Sequence, residues 1–220
     1  MLCRQVTAPI QQPKNERSAR TRAAILAAAW RLLETAGPER TTMAAVATAA
    51  GVSRRGLYLH FADRTDLLVG VRRFVDEHYD VTASTRAVWT AADAASALNE
   101  WARHLTEYHA RIRGLVQAID LARRTDDAAS TMWDDAMRRW RHACTSLAER
   151  IDAAGALADR WTIGSAADVL FSYMVAFNAL WEALAIESGW TPGQFQDHLA
   201  TTFATLLLTT RQVDQQPGLK

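Results

Sequence analysis

The residues best placed to do chemistry fall within one short run. Arg54, Arg55, Tyr58 and His60 occupy seven positions with no carboxylate among them. Two guanidiniums beside a phenol and an imidazole suit a polyanion, since arginine pairs bidentately with guanine edges and with phosphates. The surrounding stretch 41–61, TTMAAVATAAGVSRRGLYLHF, predicts how they are held. Thr42 caps one short helix, its hydroxyl accepting from an amide that has no intrahelical partner. Val46, Ala47 and Ala50 place small groups on one face, so that a second helix can approach. Gly51 stands where a left-handed residue ends the first helix. Val52 fills the corner and Ser53 caps the next helix. Leu57 and Phe61, four residues apart, turn inward, which leaves Arg54, Arg55, Gly56, Tyr58 and His60 on or beside the open face. The pattern is a helix-turn-helix whose second helix fits a DNA major groove.

No other run offers comparable chemistry. His104, Glu107 and His109 match neither H-E-x-x-H nor its inverse, and on an α-helix residues 104 and 109 point to different sides. Cys3 and Cys144 lie far apart, with no Cys or His at metal-ligand spacing. The sequence shows no nucleophile–base pair, so no enzyme, metal or cofactor is expected.

The chain has 220 residues, enough to bury a substantial core, and 49% of them are hydrophobic. Its net charge of +1 hides an asymmetry. Residues 1–75 hold 12 Lys/Arg against 5 Asp/Glu, a net of +7, while the remainder is acidic. A basic first part joined to an acidic second part confines the polyanion partner to the first. The opening MLCRQVTAPIQQPK lacks the apolar core of a signal peptide, and no run of about 18 uncharged apolar residues could span a bilayer. The expected location is cytoplasmic, without membrane contact.

The positioning elements all read as helices. Residues 1–15 are expected to form a disordered tail, with Lys14, Arg17, Arg20 and Arg22 as either a solvated helix start or a phosphate-touching arm. A first helix over 17–36 carries Ile25, Leu26, Ala29, Trp30, Leu32 and Leu33 as the packing behind the motif. A helix from about 64 to 79, with Leu67, Leu68, Val71, Phe74 and Val75 inward, connects it to everything downstream. The domain boundary is set near residue 75. A helix over 93–112 presents Leu98, Trp101, Leu105, Tyr108 and Ile112 on one face. Its other face carries Glu100, His104, Glu107 and Arg111, read as solvated. A shorter apolar segment covers 115–122. A long helix over 127–153 follows, with Trp133, Met137, Trp140, Cys144, Leu147 and Ile151 in register and Asp134–Arg138 and Asp135–Arg139 pairs outside. The last two helices, over 165–188 and 192–211, are apolar over so wide an arc that each needs cover on two sides. A second copy supplying two more would complete a four-helix bundle. Residues 212–220 are expected to form a tail.

The runs TRAAILAAAWRLLETAG, TTMAAVATAAGVS and RRGLYLHFADRTDLL together resemble the N-terminal domain of TetR-type transcriptional regulators over 17–68. The resemblance implies an all-α chain: a three-helix helix-turn-helix domain at 16–75 and a helical ligand-binding and dimerisation domain at 76–211. It matches the recognition helix to residues 53–60 and a basic opening of the fourth helix to Arg64. Thr42, Ser53, Arg54, Arg55, Gly56, Tyr58, His60 and Arg64 are the candidate DNA contacts. Of these, Arg54 and Arg55 are candidates for base edges, and Thr42, Tyr58, His60 and Arg64 for phosphates. Gly56 and Leu59 depart from the family, which more often has helix-forming or polar residues there; glycine inside a helix costs about 1 kcal/mol relative to alanine.

The resemblance also implies a small-molecule effector and a homodimer through the two C-terminal helices, reading a palindromic operator in double-stranded DNA. Eight Trp are available, and Trp101, Tyr108, Trp133, Met137, Trp140, Phe177 and Trp181 are candidates either for core or for lining a pocket for an apolar or aromatic effector. Asn178, polar in an apolar helix, is either a ligand hydrogen-bonding group or a dimer-register residue. The expected function is a repressor released by its effector. The alternative is a helix-turn-helix regulator without a small-molecule effector, controlled by a protein partner.

Overall fold

The computed structural model describes residues 16–209, so the expected tails and the positions of Cys3 and Lys14 lie outside the described residues. Eleven α-helices follow one another among the described residues: α1 (Glu16–Ala36), α2 (Met43–Ala49), α3 (Arg54–Tyr58), α4 (Arg64–His78), α5 (Val81–Thr90), α6 (Ala94–His104), α7 (Ala110–Ala122), α8 (Asp127–Ala153), α9 (Ile163–Val175), α10 (Phe177–Trp181) and α11 (Pro192–Leu207). A π turn, Leu105–His109, joins α6 to α7, and a second, Glu182–Glu187, follows α10.

Helices α2, α3 and α4 form as their caps dictate. Thr42 Oγ1 accepts from the Ala45 amide at 3.1 Å and Ser53 Oγ from the Gly56 amide at 3.0 Å. Gly51 turns the chain between α2 and α3 at φ +67°, a conformation that suits glycine. Asp63 accepts from the Asp66 amide at 2.8 Å and starts α4. Behind them, Ile25, Ala29 and Leu33 of α1 bury against Val46, Leu57, Phe61, Leu67 and Val71. The same cluster continues into Ile112, Leu115 and Ile119 of α7. The basic part is therefore seated on the second part. At the crossing of α1 and α7 a Cβ on Gly114 would stand 2.0 Å from the Leu33 carbonyl oxygen, so only glycine permits this approach.

Four expectations about the helices need correction. α5 lies in a stretch for which no helix is read from sequence: its Val and Thr residues form helix weakly and only Val88 is buried, but the Asp80 cap and packing on α6 hold it. The expected breaks between 112 and 115 do not occur, since α6, the π turn and α7 run on without interruption from residue 94 to 122. The apolar helix expected over 165–188 starts at Ile163, under a Thr162–Ser165 capping box, and bends by 53° between Val175 and Phe177. The last helix stops at Leu207 instead of running to 211. Leu208 is extended and pairs with Leu157, while Arg160 and Trp161 donate to the carbonyls that the helix end leaves free. Among the described residues no single helix is long and apolar enough to cross a membrane.

Candidate nucleic-acid interface and interior cavity

The recognition helix α3 is presented by what lies behind it. Leu57 and Phe61 are buried, whereas Ser53, Arg54, Arg55, Tyr58 and Leu59 are exposed and Gly56 and His60 half-buried. Arg54 leans over the Tyr58 ring at 5.9 Å, close enough for a weak cation–π contact that steadies both. A Cβ on Gly56 would meet the Ser53 hydroxyl at 3.2 Å and the Val52 Cβ at 3.9 Å, so the chain's own packing makes little demand for glycine there. Burial, reinforced by the Arg22 charge, lowers the His60 pKa, so at neutral pH the imidazole would contact a phosphate by N–H donation rather than by charge.

Two arginines act as braces. Arg64 donates from Nη2 to the Pro38 carbonyl at 2.7 Å and ties the start of α4 to the α1–α2 turn. Arg22 donates from Nη1 to the His60 carbonyl at 2.8 Å and lies 4.2 Å over the Phe61 ring. It meets a carbonyl just beyond the C-terminus of α3, where a cation is favoured. Arg22 is thus neither a solvated helix start nor an arm. Its position three and four residues before Ile25 and Leu26, on the inward side of α1, was the available signal. Leu59 is the second residue that the motif reading left out of the site. It is 80% exposed beside Tyr58, an apolar side chain with nothing of its own chain to pack against.

Of the eight aromatic and polar candidates in the second part, five meet at one cavity. Trp133, Met137 and Trp140 from α8 face Phe177 and Asn178 from α10, with Ile112, Val116 and Ile119 of α7 alongside. The cavity has a free volume of about 50 Å³. The α8 stripe has two fates. Cys144, Leu147 and Ile151 are buried in the core, whereas Trp133, Met137 and Trp140 remain half-exposed because the cavity opens before them. Burial pushes the Cys144 thiol up to about 12, which leaves it inert. On the outer side of this helix Arg138 reaches Asp135 rather than Asp134.

Trp101, Tyr108 and Trp181 do not line the cavity. Trp101 lies fully buried, 6.0 Å from Trp140, and Trp181 packs between Phe177 and Phe195. Tyr108 is directed to α4, where its ring lies 4.8 Å from Tyr79 and its hydroxyl feels the Arg72 charge without a well-directed hydrogen bond.

Arg72 and His109 line the cavity although neither was a candidate. Arg72 belongs to α4, and its fork grips Asp76 through Nε at 3.0 Å and Nη2 at 2.9 Å. His104 corrects the reading of a solvated face: it is buried, as is His109, and both approach Trp140, at 5.7 and 4.6 Å. The π turn between them widens the helix, so five residues return the side chain to the same side. Burial lowers their pKa values to about 4 and about 3, so both are neutral.

This architecture defines a class: a small helix-turn-helix domain braced on a larger helical domain that holds a cavity. Residues 25–71 match the family described as bacterial regulatory proteins, tetR family. The match covers the helix-turn-helix part, which is thereby similar to the DNA-binding domain of that family. No curated protein matches it in sequence. Among solved structures it resembles NalD, the secondary repressor of the MexAB-OprM multidrug efflux pump in Pseudomonas aeruginosa. The identity is 20%, over 89% of this chain and 99% of that one, with a TM-score of 0.63. A Saccharomonospora viridis protein described as a transcriptional regulator, solved in complex with choline, superposes at a TM-score of 0.72 with 18% identity, over 87% of this chain and 99% of its own. The SmeT–triclosan complex superposes at 0.60 with 17% identity, over 87% of this chain and 93% of its own. At such identities the likeness speaks for the fold.

Proposed function

We propose that the protein is a homodimeric repressor that binds a palindromic operator and leaves it when a small apolar or aromatic molecule occupies the cavity. One observation carries the reading: Arg72, from the helix that leads out of the helix-turn-helix domain, is part of the cavity wall. An occupant touches α4 directly and needs no relay to reach it. If it fits best when α4 is displaced, it favours a spacing of the two recognition helices that no longer matches the operator.

Dimer formation is supported by the outward face of α9, α10 and the second π turn. Ser172, Val175, Ala176, Ala179, Ala183 and Ile186 are exposed there and carry no charge. Two such faces, with α11 alongside, would close a four-helix bundle. On the DNA side, Arg54 and Arg55 read base edges, and Thr42, Tyr58 and His60 fix position on phosphates. Leu59 meets a thymine methyl, the apolar feature that the major groove offers. Gly56 lets the α3 backbone approach the duplex.

Selection of bound duplexes from random DNA tests this. One palindrome is expected, and compounds that raise the melting temperature should release it. Sequence-independent binding alone, lost steeply with salt, would overturn the reading.

A further inference from the structure

We propose that His109 Nε2 is the polar anchor of the cavity, and that the cavity takes an uncharged, flat apolar molecule bearing one hydroxyl. This rests on the cavity being the effector site. His109 is 7% exposed, lines the cavity, and its Nε2 has no partner among the described residues. A buried nitrogen left without a partner costs free energy that a ligand hydroxyl would recover, whether the ring donates or accepts. The ring's aromatic neighbours are Tyr108, Trp140 and Phe177, at 5.6, 4.6 and 5.3 Å, and the wall's cation, Arg72, is already paired with Asp76, so little is offered there to a water, which needs two to four polar partners. The π turn that brings residue 109 to this side adds a second indication, since such turns are seldom kept inside helices without a use.

The rest of the wall decides against charge. No carboxylate lines the cavity, so a cation meets no counter-ion. The one cationic wall residue, Arg72, already pairs with both oxygens of Asp76, whose charge offsets its pull on an anion. Either ion would also lose its hydration among tryptophan, methionine and phenylalanine side chains, a penalty that a neutral hydroxyl largely avoids. Trp133, Trp140 and Phe177 offer faces to a planar ring.

Four probes built on one ring system test this on the full chain: naphthalene, 2-naphthol, 2-naphthoate and 2-naphthylmethylammonium, each measured by calorimetry and thermal shift at pH 7. The expected order has 2-naphthol tightest, roughly fivefold to tenfold above naphthalene, with both ions weaker than naphthalene. In His109→Phe, or in His109→Leu should the first not fold, naphthalene binding should persist while the preference for naphthol falls to about unity. Equal binding of naphthalene and naphthol by the native chain, a preference that survives both variants, or tightest binding of either ion would overturn the anchor while leaving the cavity as an effector site. If none of the four binds, the effector reading itself fails and the anchor falls with it.

Discussion

Arg54 and Arg55 stand in solvent on the recognition helix, while Arg22 turns its guanidinium onto the backbone behind it. The difference sets opposite expectations for the same substitution. Arg54→Ala or Arg55→Ala should leave the melting temperature within about a degree. Each should lower operator affinity by about 1–3 kcal/mol and relax the preference at one base pair, as fluorescence anisotropy on operator variants would show. Arg22→Ala removes a charge-assisted hydrogen bond and should cost roughly 1–3 kcal/mol of stability in denaturant titration. It should weaken binding to all sequences alike, because it releases the end of the helix rather than a base contact. His104 and His109 set a pH dependence. In the unfolded chain they take up protons near pH 6.5, whereas in the folded chain they do so only near about 4 and about 3. The unfolded state therefore binds more protons between those values. Stability is complete above about pH 7 and falls as pH drops through 6.5 toward 4, by up to about 1.4 kcal/mol per unit for each histidine. Urea midpoints from pH 7.5 to 5 would measure the slope, and His104→Phe should reduce it. A flat profile would mean that neither imidazole is held neutral.

At the scale of elements, the crossing of α1 and α7 joins the DNA-reading part to the cavity part. Gly114→Ala isolates it, because two effects of opposite sign compete. Alanine inside a helix gains about 1 kcal/mol over glycine. A Cβ 2.0 Å from the Leu33 carbonyl oxygen, which is rigid backbone, forces the two helices apart and costs more, roughly 1–3 kcal/mol. The net expectation is a lower melting temperature, with operator binding reduced because the helix-turn-helix domain is reseated. A higher melting temperature would show that the helices do not approach so closely. The tilt of α4 is held at both ends, by Arg64 on the Pro38 carbonyl and by Tyr79 against Tyr108.

For the whole molecule, the expected dimer face joins the α9 and α10 surfaces, and a further carboxylate buried there would lose its hydration beside Glu182, whose partner Arg113 is already engaged. Ala179→Glu should convert the dimer to monomer in sedimentation velocity at micromolar concentration. Operator affinity should fall by at least about tenfold, because a single helix-turn-helix contacts only half of a palindrome. An Ala179→Glu protein that remains dimeric would place the interface elsewhere. The same substitution should leave naphthol binding largely intact, since Ala179 does not line the cavity of Trp140 and His109.

By itself, the sequence determined what depends on neighbours within a turn or two. The Thr42 and Ser53 caps, the Gly51 turn and the inward Leu57 and Phe61 follow from local hydrogen bonding and helical period, and all appear in the structure where the spacing puts them. The long helix over 127–153 was equally legible, since its stripe and its caps agree. Other features depend on partners far along the chain. Arg22 reads as a surface cation until His60, 38 residues away, offers its carbonyl. His104 and His109 read as opposite faces until the π turn, whose extra residue no period reveals, brings both to Trp140. Trp101 and Trp140 share a residue type, and each lies in the apolar stripe of its own helix, α6 and α8. Only the packing of α7, α8 and α10 left a void before one and none before the other, because a void is set by how large side chains on separate helices meet.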